Sequence, residues 1–145
     1  MEYTRSGHGV YYLRYHVIWT TKYRKKVLKP GVQKYLHKVL LTLLKQLPDV
    51  SLETIGFSAD HVHMVMVIPP KYAVADVMGI LKSQSAAKLR RKFSWLDGSY
   101  WAEESVFWSP GYFISSVGIS EEKVKSYVEH QGRQDSDQKQ RKLFL

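Results

Sequence analysis

Two histidines separated by one residue are the first feature of the sequence that could do chemistry. His61 and His63 lie in a run of alternating apolar residues, which predicts a β-strand. Side chains two positions apart on a strand project from the same face, so the two imidazoles are spaced roughly 6.6 to 7 Å along the chain. One metal ion can bridge imidazoles at that separation. The pair taken alone is also explained by two partly buried histidines that are hydrogen-bonded to their neighbours.

A tyrosine and a glutamine near the C-terminus form a second group. Tyr127 and Gln131 are four residues apart and lie on one face of a predicted helix, about one turn from each other. If the carboxamide oxygen of Gln131 completes the coordination begun by the histidines, the phenol of Tyr127 lies beside the ion as a nucleophile. An ion with three neutral ligands keeps its full charge and is a strong Lewis acid toward a phosphodiester oxygen. The alternatives are a core tyrosine with its hydroxyl at the rim and a solvated amide at a helix end.

Few other residues offer covalent chemistry. The chain has no cysteine, and no serine lies in a G-x-S-x-G context. His130 directly precedes Gln131, but it points about 100° away around the helix and is not assigned as the base for the phenol proton. Asp60 is either a carboxylate that orients a ligand histidine or a turn residue before the strand.

The elements that must position these groups follow from the periodicity of the apolar residues. The predicted elements, in chain order, are a strand at 10–20, a helix at 30–47, strands at 50–58 and 61–68, a helix at 74–93, a strand at 112–117 and a helix at 120–131. The third helix is expected to end near Gln131, because Gly132 is a natural stop. This order predicts an α+β fold of the ferredoxin-like split βαβ type (βαββαβ) with an additional C-terminal helix that carries the tyrosine. The first and third strands form the centre of the antiparallel sheet, the first two helices cover one face, and the other face is left for a site.

Composition bounds the partners and the organisation. The chain has 145 residues and a formal charge of +9, which indicates one domain and favours polyanionic partners. We expect that domain to span residues 1–132, with a flexible or loosely packed tail at 133–145. The N-terminal residues lack the apolar core of a signal peptide and no run of eighteen apolar residues occurs, so a cytoplasmic protein without membrane contact is expected.

Two basic clusters are candidates for contacts with phosphates, although each is also explained as solvated surface. The candidate residues are Lys22, Arg24, Lys25 and Lys26 in the first cluster and Lys88, Arg90, Arg91 and Lys92 in the second. Four aromatic residues could stack on unpaired bases or belong to the core, namely Tyr23, Trp95, Trp101 and Trp108.

The motifs together resemble a known family. The chain is similar to the small single-tyrosine HUH transposases of the insertion-sequence-200/605 type over about residues 9 to 132. The matching segments, in chain order, are His61-Val62-His63, the basic helix from Lys82 to Arg91, Trp108-Ser109-Pro110-Gly111-Tyr112-Phe113 running into Ser116-Val117-Gly118, and Tyr127-Val128-Glu129-His130-Gln131. The less typical detail is Ile119, where the family often has a second glycine.

The resemblance implies a metal-dependent single-strand DNA endonuclease and strand transferase that acts on transposon ends folded into hairpins. It implies that His61, His63 and Gln131 bind Mg²⁺ or Mn²⁺, and that Tyr127 attacks the scissile phosphate to form a 5′-phosphotyrosine. It also implies a homodimer in which the tyrosine helix of one subunit can complete the site of the other, with residues 118–120 as the hinge. Two other functions stay open: a domesticated nickase of hairpin repeats, and a non-catalytic module that binds single-stranded nucleic acid.

Overall fold

Six strands and three α-helices are present in the part of the chain that the computed structural model describes, residues 4–6, 9–11, 13–94, 106–116 and 118–144. The strands are β1 (Thr4–Ser6), β2 (Gly9–Tyr11), β3 (Arg14–Thr20), β4 (Ser51–Phe57), β5 (His61–Val67) and β6 (Phe113–Ser115). The helices are α1 (Pro30–Leu44), α2 (Val74–Lys92) and α3 (Glu121–Phe144), and a 3-10 turn covers Lys22–Arg24.

The main sheet has four antiparallel strands in the order β4-β5-β3-β6. Its central pair, β3 and β5, are the first and third predicted strands, so the predicted split βαβ topology is confirmed. In this pair Ile18 lies opposite His63 and Thr20 lies opposite His61. The register therefore sets both histidines beside the C-terminal half of β3.

The predicted strand at 10–20 is wrong in its extent, because it is two strands. β2 pairs with β1 in a separate hairpin, and β3 begins at Arg14, opposite Val67. The partner strand β5 ends at Val67, just before Pro69 and Pro70, and a proline has no N–H for a sheet ladder. Within the described residues, the pairing ends with a hydrogen bond from the N–H of Ile68 to the carbonyl of Leu13 at 3.3 Å.

The hydrophobic core lies between one face of the sheet and the helices α1 and α2. Alternate residues of the central strands are buried in it, among them Trp19 of β3 and Met64 of β5. Leu36 and Leu40 of α1 pack there as the three- and four-residue spacing predicts. Because strand side chains alternate, the residues between the core residues, including His61 and His63, are left on the opposite face.

α3 covers that opposite face, and its predicted end near Gln131 is wrong, since the helix runs on to Phe144. Gly132 does not stop it. A Cβ at Gly132 would lie 2.3 Å from Cδ of Arg24, so this glycine permits a close contact within a continuous helix. Residues 133–144 are helical, and Asp135 among them is 1% exposed. The flexibility expected for residues 133–145 stays a prediction.

No helix in the described ranges combines the length and the apolar character that crossing a membrane requires.

Candidate active site

His61 and His63 line one cavity of about 450 Å³ on the face of the sheet covered by α3. The end of β4 forms one wall, through Gly56 and Phe57, and Val124 and Val128 of α3 form another. Strand alternation places both imidazoles here because Val62 and Met64 occupy the core side. The predicted pairing of the two histidines on one face is therefore present.

A carboxylate orients His61. Nδ1 of its imidazole lies 2.8 Å from Oδ1 of Asp60, and Nε of Arg24 donates a hydrogen bond to Oδ2 of the same carboxylate at 3.2 Å. The hydrogen bond from His61 is the main cause that lowers the pKa of Asp60; burial opposes it, and Arg24 lowers the pKa further. An imidazole whose Nδ1 donates to a carboxylate keeps Nε2 available as a ligand atom.

The surroundings of His63 favour its neutral form. Burial is the main cause that lowers its pKa, and the nearby His16 and His61 lower it further. Its Nε2 is buried and makes no hydrogen bond to any described residue. Neutral imidazole with an unpartnered nitrogen is the form that binds a metal ion.

His16 is a neighbour of this pair that the sequence analysis missed. Its ring stacks on that of His63, with centroids 5.8 Å apart and planes at 23°, and its Nδ1 is buried without a partner among the described residues. The alternation of core and non-core side chains along β3 indicates on which face His16 lies. His16 precedes Val17, which faces the core, so it had to lie on the histidine face.

Tyr127 lies on the other flank of α3. Its ring packs against Phe113 of β6 with centroids 5.7 Å apart, and it lines a small cavity with Lys123 and His130 rather than the cavity of the two histidines. Burial, with a smaller contribution from the charge of Asp135, raises the pKa of Tyr127 to about 12. The phenol in this position is therefore protonated at neutral pH.

Gln131 is buried one turn after Tyr127, and it does not line the cavity of the histidines either. The side chains of α3 that do line this cavity include Glu129 and Lys125, which the sequence analysis did not single out. Over the described ranges, no three His, Asp or Glu side chains converge as a metal ion would require. The structure thus brings the tyrosine helix over the histidines, while Tyr127 and Gln131 do not line their cavity.

Asp135 is the main residue that the sequence analysis missed. Its carboxylate accepts hydrogen bonds from the backbone N–H of Tyr23 at 2.9 Å and from the hydroxyl of Ser109, and it pairs with Nζ of Lys22 at 3.4 Å. Asp135 continues the stripe of Tyr127 and Gln131 at four-residue spacing, and this was the available signal. It was overlooked because the helix was expected to end before it.

The first basic cluster is divided between the interior and the surface. Lys22 is 6% exposed and paired with Asp135, whereas Arg24, Lys25 and Lys26 are exposed. Arg24 also forms a hydrogen bond with Asp60.

In the second cluster Arg91 and Lys92 are exposed, and Lys88 and Arg90 are half-buried. Among the aromatic candidates, Trp108 belongs to the core. Trp95 and Trp101 lie outside the described residues.

Comparison with known proteins identifies relatives over nearly the whole of this architecture. Residues 9–131 match the family described as IS200-like transposases. The chain is 31% identical over 129 residues to the transposase for insertion sequence element IS200 of Salmonella typhimurium, covering 89% of this chain and 83% of that protein. It is also 31% identical over 129 residues to the ISDra2 transposase TnpA of Deinococcus radiodurans, covering 88% and 90% of the two proteins.

Solved structures agree with this assignment. A crystal structure of a protein assigned as a transposase from Deinococcus radiodurans superposes with a TM-score of 0.76 at 28% identity, covering 88% of this chain and 97% of that one. A REP-associated tyrosine transposase bound to a REP hairpin shares the fold, with a TM-score of 0.52 at 13% identity and 87% and 68% of the chains covered. With the family match spanning both the histidine strand and the tyrosine helix, the chain belongs to the IS200-like transposases, enzymes that cut and rejoin DNA.

Proposed function

We propose that this transposase cleaves and rejoins single-stranded transposon ends at subterminal hairpins, through a divalent cation at the histidine pair and a covalent 5′-phosphotyrosine on Tyr127. The observation that carries the proposal is the pair of imidazoles beneath the tyrosine helix. His61 is oriented by Asp60 at 2.8 Å, and His63 has a buried Nε2 without a partner among the described residues. Both features are typical of histidines that bind a metal ion.

In this proposal His61 and His63 hold Mg²⁺ or Mn²⁺, and Gln131 supplies a third, neutral ligand. A cation held there would polarise a phosphodiester oxygen and neutralise negative charge at phosphorus. The two imidazoles are on one strand in a fixed register, so they form the preformed half of the ligand set. Gln131 is on α3, so whether its carboxamide reaches a cation at the histidines depends on the position of that helix.

Tyr127 is the proposed nucleophile. The phenol loses its proton as its oxygen forms a bond to the scissile phosphorus, the bond from phosphorus to the 3′ oxygen breaks, and that oxygen takes up a proton to become a 3′-hydroxyl. One phosphodiester replaces another in this exchange, so rejoining needs no nucleotide cofactor. Because Tyr127 packs on Phe113 and does not line the histidine cavity, attack requires that the phenol leave this contact and enter that cavity.

Two movements would bring the phenol to the histidines. α3 follows residues 118–120, which have no regular secondary structure and include the exposed Gly118. A rotation of α3 about this segment would act within one chain. Alternatively, α3 would dock on the partner subunit of a homodimer. The exposed Lys25, Lys26, Arg91 and Lys92 are proposed to contact hairpin phosphates.

The deciding experiment is incubation with single-stranded oligonucleotides that carry the end hairpins of the element, in the presence of Mg²⁺ or Mn²⁺. We expect a covalent band of protein and DNA that Tyr127→Phe abolishes. The matched control is Tyr35→Phe, which removes a phenol from α1 on the other face of the sheet and should leave the band unchanged. A band that persists in Tyr127→Phe contradicts the nucleophile assignment.

The ligand assignment needs a separate measurement. Gln131→Ala should raise the Mn²⁺ concentration that cleavage requires while hairpin affinity, measured without metal, stays near the wild-type value. Glu129→Ala is the comparison, because Glu129 is two residues before Gln131 and its carboxylate lines the histidine cavity in this structure. A shift in Glu129→Ala alone would assign the third ligand to that residue instead. Hairpin binding without cleavage in the wild type, at any metal concentration, would favour a non-catalytic binding module.

A further inference from the structure

Arg24 touches both the carboxylate that orients His61 and the helix that carries Tyr127. Its Nε donates to Oδ2 of Asp60 at 3.2 Å, and the other oxygen of that carboxylate lies 2.8 Å from Nδ1 of His61. The same arginine lines the histidine cavity and a neighbouring cavity that includes Gly132 and Arg133 of α3. A chain of direct contacts therefore runs from α3 through Arg24 and Asp60 to His61.

The contact with α3 leaves no room for a side chain on the helix. An ideal Cβ at Gly132 would lie 2.3 Å from Cδ and 2.8 Å from Cγ of Arg24. Glycine inside a helix is less favourable than alanine, so this residue destabilises the helix itself. Because Gly132 has no side chain, the aliphatic part of Arg24 can lie directly on the backbone of the helix.

The backbone of the 3-10 turn is also adapted to this contact. Tyr23 and Arg24 have φ angles of 58° and 55°, in the left-handed region that residues with side chains rarely adopt. The amide of Tyr23 donates to Asp135 of α3 at 2.9 Å. The conformation that directs Arg24 toward Asp60 is thus held by the same helix.

Stability does not account for the arginine. Its side chain is 42% exposed, and an ion pair at that exposure contributes little to the free energy of unfolding. The pair instead occupies the second oxygen of a carboxylate whose first oxygen is used by His61. An arrangement of this kind restricts the rotation of the carboxylate and, through it, of the imidazole.

We propose that Arg24 is a positioning residue that makes the orientation of His61 depend on the docking of α3. When α3 is docked, Gly132 and Asp135 hold the turn, Arg24 holds Asp60, and Asp60 holds the ring of His61. When α3 leaves, this restraint on the histidine pair is lost. The inference rests on the proposed metal site at His61 and His63.

The test is the affinity for Mn²⁺, measured by isothermal titration on the full chain without DNA. Arg24→Met should weaken Mn²⁺ binding roughly tenfold, which is the usual effect of removing a partner behind a metal ligand. Arg14→Met is the matched control, since it breaks another contact from an arginine Nε to a carboxylate, with Glu53 at 2.7 Å, away from the histidine cavity. It should bind Mn²⁺ as the wild type does.

Two further variants separate positioning from a general structural effect. In an Asp60→Ala background, Arg24→Met should cause no additional loss, because the arginine acts through that carboxylate. Gly132→Ala should reproduce the loss of Mn²⁺ affinity although alanine favours the helix, because its Cβ displaces the arginine stem. If Arg24→Met does not fold, Arg24→Lys decides, since it keeps the charge but lacks Nε.

A metal-free readout completes the experiment. The ¹⁵N chemical shifts of the His61 ring should report a proton on Nδ1 in the wild type and a mixture of tautomers in Arg24→Met. Wild-type Mn²⁺ affinity in the variant that folds, or a loss that adds to that of Asp60→Ala, overturns the proposal. Mn²⁺ binding that survives His61→Ala combined with His63→Ala contradicts the proposed metal site instead, so the two failures are distinguishable.

Discussion

Burial shifts the pKa of two side chains that the proposed reaction uses, His63 and Tyr127. It lowers the pKa of His63, which favours the neutral imidazole, and it raises the pKa of Tyr127 to about 12, which keeps the phenol protonated. The first effect suits metal binding, and the second leaves the nucleophile unreactive while it packs on Phe113. In this arrangement His63 is therefore suited to bind a metal ion, whereas Tyr127 is not suited to attack phosphorus.

The pKa of the partly buried Lys82 predicts how the free energy of unfolding depends on pH. Its Nζ donates to the carbonyl oxygens of Ser109 at 2.7 Å and Gly111 at 2.5 Å, and burial lowers its pKa to about 8, with Asp135 opposing the shift. Below pH 8 both the folded and the unfolded chain carry the proton. Between about pH 8 and 10.5 only the unfolded chain keeps it, so the free energy of unfolding should rise with pH in that window.

The measurement is urea unfolding at pH 8 and pH 9.5. The wild type should gain about 1 kcal/mol between these values relative to Lys82→Met, an amount reduced from the full shift because the lysine is partly exposed. Lys38→Met removes an exposed lysine of α1 and should keep the wild-type slope. Parallel curves for the wild type and Lys82→Met would show that Lys82 does not change its protonation in this range.

At the scale of elements, α3 is the helix whose placement decides function. It lies over the face of the sheet that carries the histidines, and the buried Asp135 fastens it to the 3-10 turn and to Ser109. This fastening is polar, whereas α1 and α2 pack into the hydrophobic core. The position of α3 therefore depends on a buried charged residue, which a single substitution can remove.

Replacing Asp135 should release this helix. Asp135→Ala leaves the ammonium of Lys22 and the amide of Tyr23 without their acceptor, and breaking a buried pair of this kind costs about 3 kcal/mol. We expect hydrogen exchange over 121–144 to accelerate while the strands stay protected. Asp137→Ala, which removes an exposed carboxylate from the same helix, should change neither. Equal exchange in the two variants would mean that Asp135 does not anchor α3.

At the scale of the whole molecule, the question is whether one chain forms a complete site. The cavity of the histidines is lined by its own α3, but the phenol of that helix lies on the opposite flank. In one chain, the part of the site that contains the histidines is thus separate in space from the part that contains the tyrosine. A second copy with twofold symmetry would supply both parts twice.

Mixing two inactive variants tests such sharing. Tyr127→Phe keeps the histidines and His61→Ala keeps the tyrosine, so a mixed dimer has one complete site only if the two parts come from different subunits. Because the phenol does not line the cavity of its own chain, we expect cleavage to return to about a quarter of the wild-type level after random exchange of subunits. Continued inactivity, with exchange verified by differently tagged subunits, would assign each site to a single chain.

Local patterns were sufficient for the framework and for the histidine face. Strand alternation placed His61 and His63 on one side of β5, and helix spacing located the apolar stripe of α1, because both periods are properties of neighbouring residues. The order of elements then determined the split βαβ sheet, with β3 and β5 at its centre.

Only the tertiary structure decided how far α3 extends and which of its flanks meets the histidines. The local pattern predicted that the helix ends at Gly132. It carries no information about the contact of Gly132 with Arg24, or about the pairing of Asp135 with Lys22, which is 113 residues earlier in the chain. The rotation of a helix about its axis depends on such distant contacts. They turn Val128 toward the histidine cavity and Tyr127 toward Phe113.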